Sequence, residues 1–198
     1  MMRSPLRASL ALACALSLSA CGGGDGEFYL GGYVQGINKG PLVLKNENNG
    51  ATVTITRPGE FYFPELVEAD SSYNVVVQSV PDNIASIDKC VVTQGNGKAT
   101  FNINTVLVNC TINTHQLSGS ITGLGNASGL ELVNGADRVA VPAGATTFTM
   151  ANVPEDSPYG VTVLNQPAGR SCTVVNGVGT MLKADISNVQ VNCAPTAP

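Results

Sequence analysis

Apolar residues recur at every second position along most of this chain. Val53 and Ile55 alternate with Thr52, Thr54 and Thr56, and Phe61 and Phe63 share a face opposite Tyr62. A period of two is that of a strand with one face buried. Turn-forming groups punctuate the pattern: Asn49-Gly50, Pro58-Gly59, Gly95-Asn96-Gly97, Gly135 and Asn176-Gly177. Beyond residue 20 no stretch places apolar residues at helical spacing between caps. Short strands divided by frequent turns predict an all-β chain folded as antiparallel β-sandwich, with about seven strands per unit.

The pattern occurs twice. Gly32-Tyr33-Val34-Gln35-Gly36 is answered by Gly119-Ser120-Ile121-Thr122-Gly123, and Leu42-Val43-Leu44 by Leu130-Glu131-Leu132. Phe61 matches Phe148, Tyr73 to Val77 matches Tyr159 to Val163, and Pro81 matches Pro167. Cys90-Val91-Val92 matches Cys172-Thr173-Val174, and Val106 to Cys110 matches Val189 to Cys193. The first copy carries a few extra residues in Pro81-Asp82-Asn83-Ile84, before Cys90. A repeat of about 80 residues is enough for one small core. Two tandem modules follow, 30–110 and 117–193, with a linker at 111–116 and a tail at 194–198. A single sandwich made from both copies is the other arrangement that length allows.

Strand parity also aims the cysteines. Val106, Val108 and Cys110 point to one side, as do Val189, Val191 and Cys193, and Cys90 and Cys172 share a side with Val92 and Val174. Four such cysteines permit three pairings. The repeat favours Cys90–Cys110 and Cys172–Cys193, because each copy must be able to fold alone. In the chain-entropy picture each bridge contributes about 3 kcal/mol.

The first twenty residues are built differently. Arg3 and Arg7 precede an apolar run from Ala8 to Leu18, of signal-peptide length and too short to span a bilayer comfortably. Leu18-Ser19-Ala20-Cys21 closes the run. It resembles the bacterial lipobox. That resemblance implies lipidation of the Cys21 thiol, cleavage just before it and acylation of the new amino terminus. Residues 1–20, with Cys14, then leave as a signal peptide; an ordinary secretory signal with a chance cysteine is the alternative. Two or more acyl chains make dissociation from a membrane very slow, since each buried methylene contributes about 0.8 kcal/mol. Residues 21–29 become the lipidated cysteine and a flexible tether, glycine-rich at Gly22-Gly23-Gly24-Asp25-Gly26. Gly22 stands where an Asp favours inner-membrane retention in enteric lipoproteins, so the resemblance points to the outer membrane of the cell envelope.

Charge narrows the partners. Without residues 1–20 the chain has eight basic and fourteen acidic residues, a formal charge of −6, and no basic cluster. That balance argues against nucleic acid. Export also sets the redox setting, one in which disulfides persist.

The module pattern runs Gly-x-Val/Ile-x-Gly, Leu-x-Leu, a central Phe, Tyr-x-Val-x-Val, Gln-Pro-x-Gly, and Cys-x-Val before Asn-Val-x-Val-x-Cys. It resembles an immunoglobulin-like module found, often in tandem, in lipoproteins and surface proteins of proteobacteria. The second copy, with Gln166-Pro167-Ala168-Gly169 and Asn176-Gly177-Val178-Gly179-Thr180, fits best; the first departs at Ser79-Val80-Pro81-Asp82. These motifs are structural. They imply a fold and a setting, and no chemistry.

Candidate chemistry is sparse. His115 is the single histidine, placed in the linker, and reads as a solvated side chain rather than part of a catalytic triad. No pattern suits a metal or a cofactor, and none is expected. Glu65, Glu68 and Asp70 lie in one connection and Glu155-Asp156 in its counterpart. They read as solvated turns, with a calcium loop as the alternative. A sugar site needs an aromatic platform, and the chain has no Trp, five Tyr and five Phe. Tyr62 is the best exposed candidate; Tyr33 and Tyr73 are expected in the core, and Phe28-Tyr29 against the first module. The expected role is that of a membrane-anchored, non-enzymatic structural, scaffold or binding module, meeting an envelope protein or polysaccharide. The alternatives are a carbohydrate- or peptidoglycan-binding module, an accessory domain of an envelope hydrolase, or a module presenting an inhibitory loop to a protease.

Overall fold

A computed structural model describes residues 26–196. The expected signal peptide, Cys21 and residues 22–25 lie outside the described residues. The first copy contains β1 (Glu27–Phe28), β2 (Leu30–Gln35), β3 (Leu42–Asn46), β4 (Thr52–Ile55) and β5 (Gly59–Tyr62). It continues with β6 (Val67–Glu68), β7 (Ser72–Ser79), β8 (Cys90–Thr93), β9 (Asn96–Lys98) and β10 (Ile103–Cys110). The second copy repeats the series as β11 (Thr114–His115), β12 (Leu117–Thr122), β13 (Glu131–Asn134), β14 (Asp137–Ala140) and β15 (Thr147–Thr149). It ends with β16 (Val153–Pro154), β17 (Pro158–Asn165), β18 (Arg170–Val175), β19 (Val178–Thr180) and β20 (Ile186–Pro195).

Each copy is a sandwich of two four-stranded sheets. In the first, the order β5-β2-β10-β8 faces β4-β3-β7-β9; in the second, β15-β12-β20-β18 faces β14-β13-β17-β19. A short two-stranded ribbon, β1-β6 or β11-β16, completes each. The duplication seen in the sequence is therefore a duplication of topology, strand by strand. The ladders are antiparallel except for one in each copy. There β2 runs parallel to β10, and β12 parallel to β20. A parallel pair needs a long crossover, and here nearly the whole module lies between its two strands.

Two segments are more ordered than expected. Thr114–His115, within the expected linker, pair with Val153–Pro154, so the linker is built into the second module. Glu27–Phe28, at the end of the expected tether, pair with Val67–Glu68 in the same way. Phe28 packs against the first core, as the sequence led us to expect.

The apolar face of each strand fills one of two separate cores. Leu30, Leu42, Leu44, Val34 and Val108 are fully buried in the first, and Leu117, Leu132, Met181, Val189 and Val191 in the second. Burying each such side chain contributes about 1.5–3 kcal/mol. Glycine is required where β2 meets its parallel neighbour: a Cβ on Gly32 would lie 1.8 Å from the Val106 carbonyl oxygen. Gly119 repeats the contact, 2.1 Å from the oxygen of Val189. Cys90 bridges to Cys110 and Cys172 to Cys193, each pair directly opposite on adjacent antiparallel strands. These are the pairings the repeat favours.

Candidate functional site

Two features of the surface are not explained by packing a sandwich. The first is the junction between the copies. The loop after β2 supplies Asn38 and Lys39, and the extra residues of the first copy supply Asp82 and Asn83. From the second copy come His115 on β11, Glu155 and Asp156 after β16, and Lys183 before β20. Lys39 Nζ lies 2.6 Å from Asp82 Oδ1 and 2.7 Å from Asp156 Oδ2, and Lys183 Nζ lies 2.6 Å from Asp82 Oδ2. Two lysines and two aspartates thus form a chain of alternating charge across the junction.

Beneath that chain lies an amide relay. Asn83 Nδ2 donates to Asn38 Oδ1 at 2.6 Å, and Asn38 Nδ2 donates to the Glu155 carbonyl at 2.6 Å. The backbone continues it: the Asn113 N–H donates to the Asn83 carbonyl, and the Glu155 N–H to the Asn113 carbonyl, both at 2.9 Å. Asn83 is 1% exposed and Glu155 3%. The sequence reading of Glu155 as part of a solvated turn is therefore corrected; its side chain is buried, and its carbonyl is held by Asn38 of the first copy. His115 is corrected too. Its Nε2 is 2.7 Å from Glu155 Oε1, and the ring is half-buried rather than free in a linker. Glu155 Oε2 and Asn83 Oδ1 have no protein donor among the described residues; ordered water is the usual partner of such buried acceptors.

The charges of the junction perturb one another. Hydrogen bonds from Lys183 and then Lys39 hold the Asp82 carboxyl down at about 2, against an ordinary 3.8. Hydrogen bonds to Asp156 and then Asp82 raise Lys39 above its usual value. A carboxyl depressed in the closed junction stabilises it fully above the ordinary value. As pH falls from 3.8 towards 2 the opened form takes up the proton first, and the contribution is lost. We expect the modules to lose their fixed orientation across that window, read by small-angle scattering alongside a carboxyl NMR titration of Asp82. The Asp82→Asn variant should be loosened already at neutral pH. A wild-type scattering profile unchanged down to pH 2 would show that these pairs do not hold the junction.

The second feature is the outer face of β5-β2-β10-β8. Tyr33 and Tyr62 are 47% and 49% exposed, and Tyr29, just before β2, is 57% exposed. Tyr62 is exposed as its parity requires and Tyr73 is buried as expected, but Tyr33 points out of the core and corrects the sequence reading. The reason is register: Gly32 and Val34 take the inward positions of β2, which leaves Tyr33 on the other side of the pleat. Tyr29 and Tyr62 meet edge to face, with centroids 6.5 Å apart. Tyr62 leans over Gly31, where a Cβ would sit 2.5 Å from its Cδ1.

Glu65, Glu68 and Asp70 stay exposed around β6 and are not drawn into the junction. Among the described residues no three His, Cys, Asp or Glu side chains are grouped to hold a metal ion. Asn38, Lys39, Asp82, Asn83 and Lys183 were not singled out from the sequence as site residues. A signal for two of them existed: Asp82 and Asn83 lie where the first copy departs from the module pattern.

No family model matches the chain, and no curated protein matches it. Among solved structures it is similar to the Bacillus anthracis TIE protein, at 15% identity and a TM-score of 0.40, over 84% of this chain and 34% of that one. The chain thus spans about a third of that protein's length. It is also similar to the shaft pilin SpaA of Lactobacillus rhamnosus GG, at 9% identity and a TM-score of 0.32, covering 87% of this chain and all of the pilin. Similarity to the major pilin of Streptococcus pyogenes is at 11% identity and a TM-score of 0.30, over 86% of this chain and 97% of that one.

Proposed function

We propose that the protein is a lipid-anchored, non-enzymatic spacer and binding module of the cell envelope, held at the outer membrane through Cys21. The anchor rests on the resemblance of Leu18-Ser19-Ala20-Cys21 to a lipobox, and the observation that supports the spacer role is the junction. Domains of one chain ordinarily move relative to one another unless their interface holds them. Here side chains from both copies close a continuous network of ion pairs and amide hydrogen bonds around a buried carboxylate. Isolated surface pairs contribute little, but a network that includes enclosed groups restricts orientation more strongly. Two sandwiches fixed end to end, each closed by a disulfide, suit a stalk that holds one surface at a set distance from a lipid anchor. The His115 ring lies between two acids, with Glu155 Oε1 2.7 Å from Nε2 and Asp185 Oδ1 3.7 Å from Nδ1, and among the described residues no hydroxyl or thiol is hydrogen-bonded to it.

Intact mass of the protein purified from its own membranes tests the anchor. We expect a chain beginning at Cys21 that carries a lipid increment, with four further cysteines alkylated only after reduction. An unlipidated chain would overturn the anchored reading and leave a soluble exported protein in its place.

A further inference from the structure

The two copies are an internal comparison of what the fold needs. Inward positions agree: Leu30 and Leu117, Phe61 and Phe148, Val106 and Val189, Val108 and Val191 are all buried. Outward positions on the matching sheets do not. Where the first copy has Tyr33 and Tyr62, the second has Ser120 and Thr149. Leu107 is answered by Gln190 and Val91 by Thr173. The second sheet packs and pairs with hydroxyl and amide side chains at these positions, so sandwich stability does not require aromatic ones. Tyr62 has a partial structural use, in covering Gly31; the second copy, with Ser118 and Thr149 there, has an open hollow of about 230 Å³. That use does not extend to Tyr33, which stands opposite Glu60 and Leu107 on the open face.

We infer that the outer face of β5-β2-β10-β8 in the first module is a binding surface for a neutral polysaccharide, with Tyr29, Tyr33 and Tyr62 as its aromatic contacts. This deepens, and rests on, the reading of the chain as an envelope binding module. The chemistry of the face selects the occupant. Tyrosine combines a flat apolar ring with a hydroxyl, and a sugar ring offers a C–H face edged by hydroxyls. Between and beside the rings stand planar hydrogen-bonding groups, Glu60 opposite Tyr33, and Gln35 opposite Asn109. They supply donors and acceptors where a saccharide has hydroxyls. Tyr33 is diagonal to Tyr62 across adjacent strands, a separation of about 7–8 Å, wider than one ring and suited to a chain of them. Charge disfavours anionic polymers and anionic lipid: the only group charged at neutral pH at the paired outward positions of β2 and β5 is the acidic Glu60, and the chain without residues 1–20 carries −6. A protein partner would be expected to find a pocketed apolar centre inside a polar rim; this surface is a sheet face with polar groups set among the rings.

The test uses the protein purified from its own membranes in detergent, passed over surfaces bearing dextran, glucomannan or alginate. We expect retention by at least one neutral glycan and none by the anionic alginate. The five tyrosines are the only strong emitters in a chain without tryptophan, and three of them lie on the face; binding should therefore change the intrinsic fluorescence. Tyr33→Ser, the residue of the second copy, should weaken retention about tenfold while leaving the unfolding transition in place. Tyr159→Phe, in the second module, should leave retention unchanged. Absence of retention on both neutral surfaces, retention by alginate alone, or equal retention of Tyr33→Ser and wild type overturns the inference. So does a photo-cross-linker at position 33 that captures an envelope protein and no glycan. Because the lipid increment is read separately by mass, loss of glycan binding from a lipidated chain refutes this inference and leaves the anchored spacer standing.

Discussion

Gly32→Ala should remove about 3 kcal/mol from the first module, a quarter or more of its whole stability. A methyl at this position would lie 1.8 Å from the Val106 carbonyl oxygen and 2.6 Å from its carbonyl carbon. The obstacle is backbone, so no rotamer change relieves it. Either β2 moves away from β10, breaking the parallel ladder at the centre of the sheet, or the two sheets shift against a filled core. Over-packing of this kind costs about 3 kcal/mol when the surroundings are rigid. A module of about 80 residues has only about 4–12 kcal/mol in total. Gly50→Ala is the control: its φ of +79° disfavours any side chain, yet nothing lies within 4 Å of the added methyl. That substitution should cost about 1–2 kcal/mol from backbone strain alone. Urea unfolding followed by tyrosine emission reads the first module selectively, because four of the five tyrosines are in it and only Tyr159 is in the second. Equal, small shifts for the two variants would mean that β2 does not approach β10 as described.

Removing the bridge of the first module, as Cys90→Ala with Cys110→Ala, should lower its stability by about 3 kcal/mol. The two residues lie 20 apart in sequence, and the closed loop includes the β8–β9 turn and the whole of β10. Without the bond the unfolded chain regains the freedom of that loop. The buried sulfurs also leave space, since both cysteines are 6% exposed and belong to the first core. With a urea slope of about 1 kcal/mol per molar for so small a unit, the midpoint should fall by about 3 M. Reductant added to the wild-type protein should give a similar shift of the first-module transition and leave that transition unmoved in the Cys90→Ala, Cys110→Ala variant, whose remaining bridge lies in the second module. An unchanged midpoint under reduction would place the stability of the module in its core alone.

How far these features could be read beforehand depended on how local their causes are. The strands around Val53, Phe61, Val106 and Val189 were legible because alternation is a property of consecutive residues. The cysteine pairing followed from the repeat, since a bond needed in both copies must close within each. Tyr33 was misread because its neighbours Gly32 and Val34 do not reveal which side of β2 faces the core. Glycine carries little apolar signal, and here it marks a close approach of backbones rather than a turn. The parallel β2–β10 pair was not foreseen at all: it depends on where the two ends of a module meet, which no window of sequence contains.

The junction makes the same division. Asn38, Lys39, Asp82, Asn83, Glu155 and Lys183 are unremarkable polar residues in turns, and turns are ordinarily solvated. They become a site only because the second module is docked against the loops of the first, and Glu155 there is a buried carboxylate rather than a surface one. By itself, then, the sequence determined the all-β class, the duplication, the bonded cysteines and the expectation of a lipid anchor, each of which rests on residue identity and short-range periodicity. The tertiary structure alone decided the parallel closure of each sandwich, the locking of one module to the next and the grouping of tyrosines on one face. These rest on contacts between residues distant in sequence, whose free energies arise only when the strands have paired and water has been excluded between them.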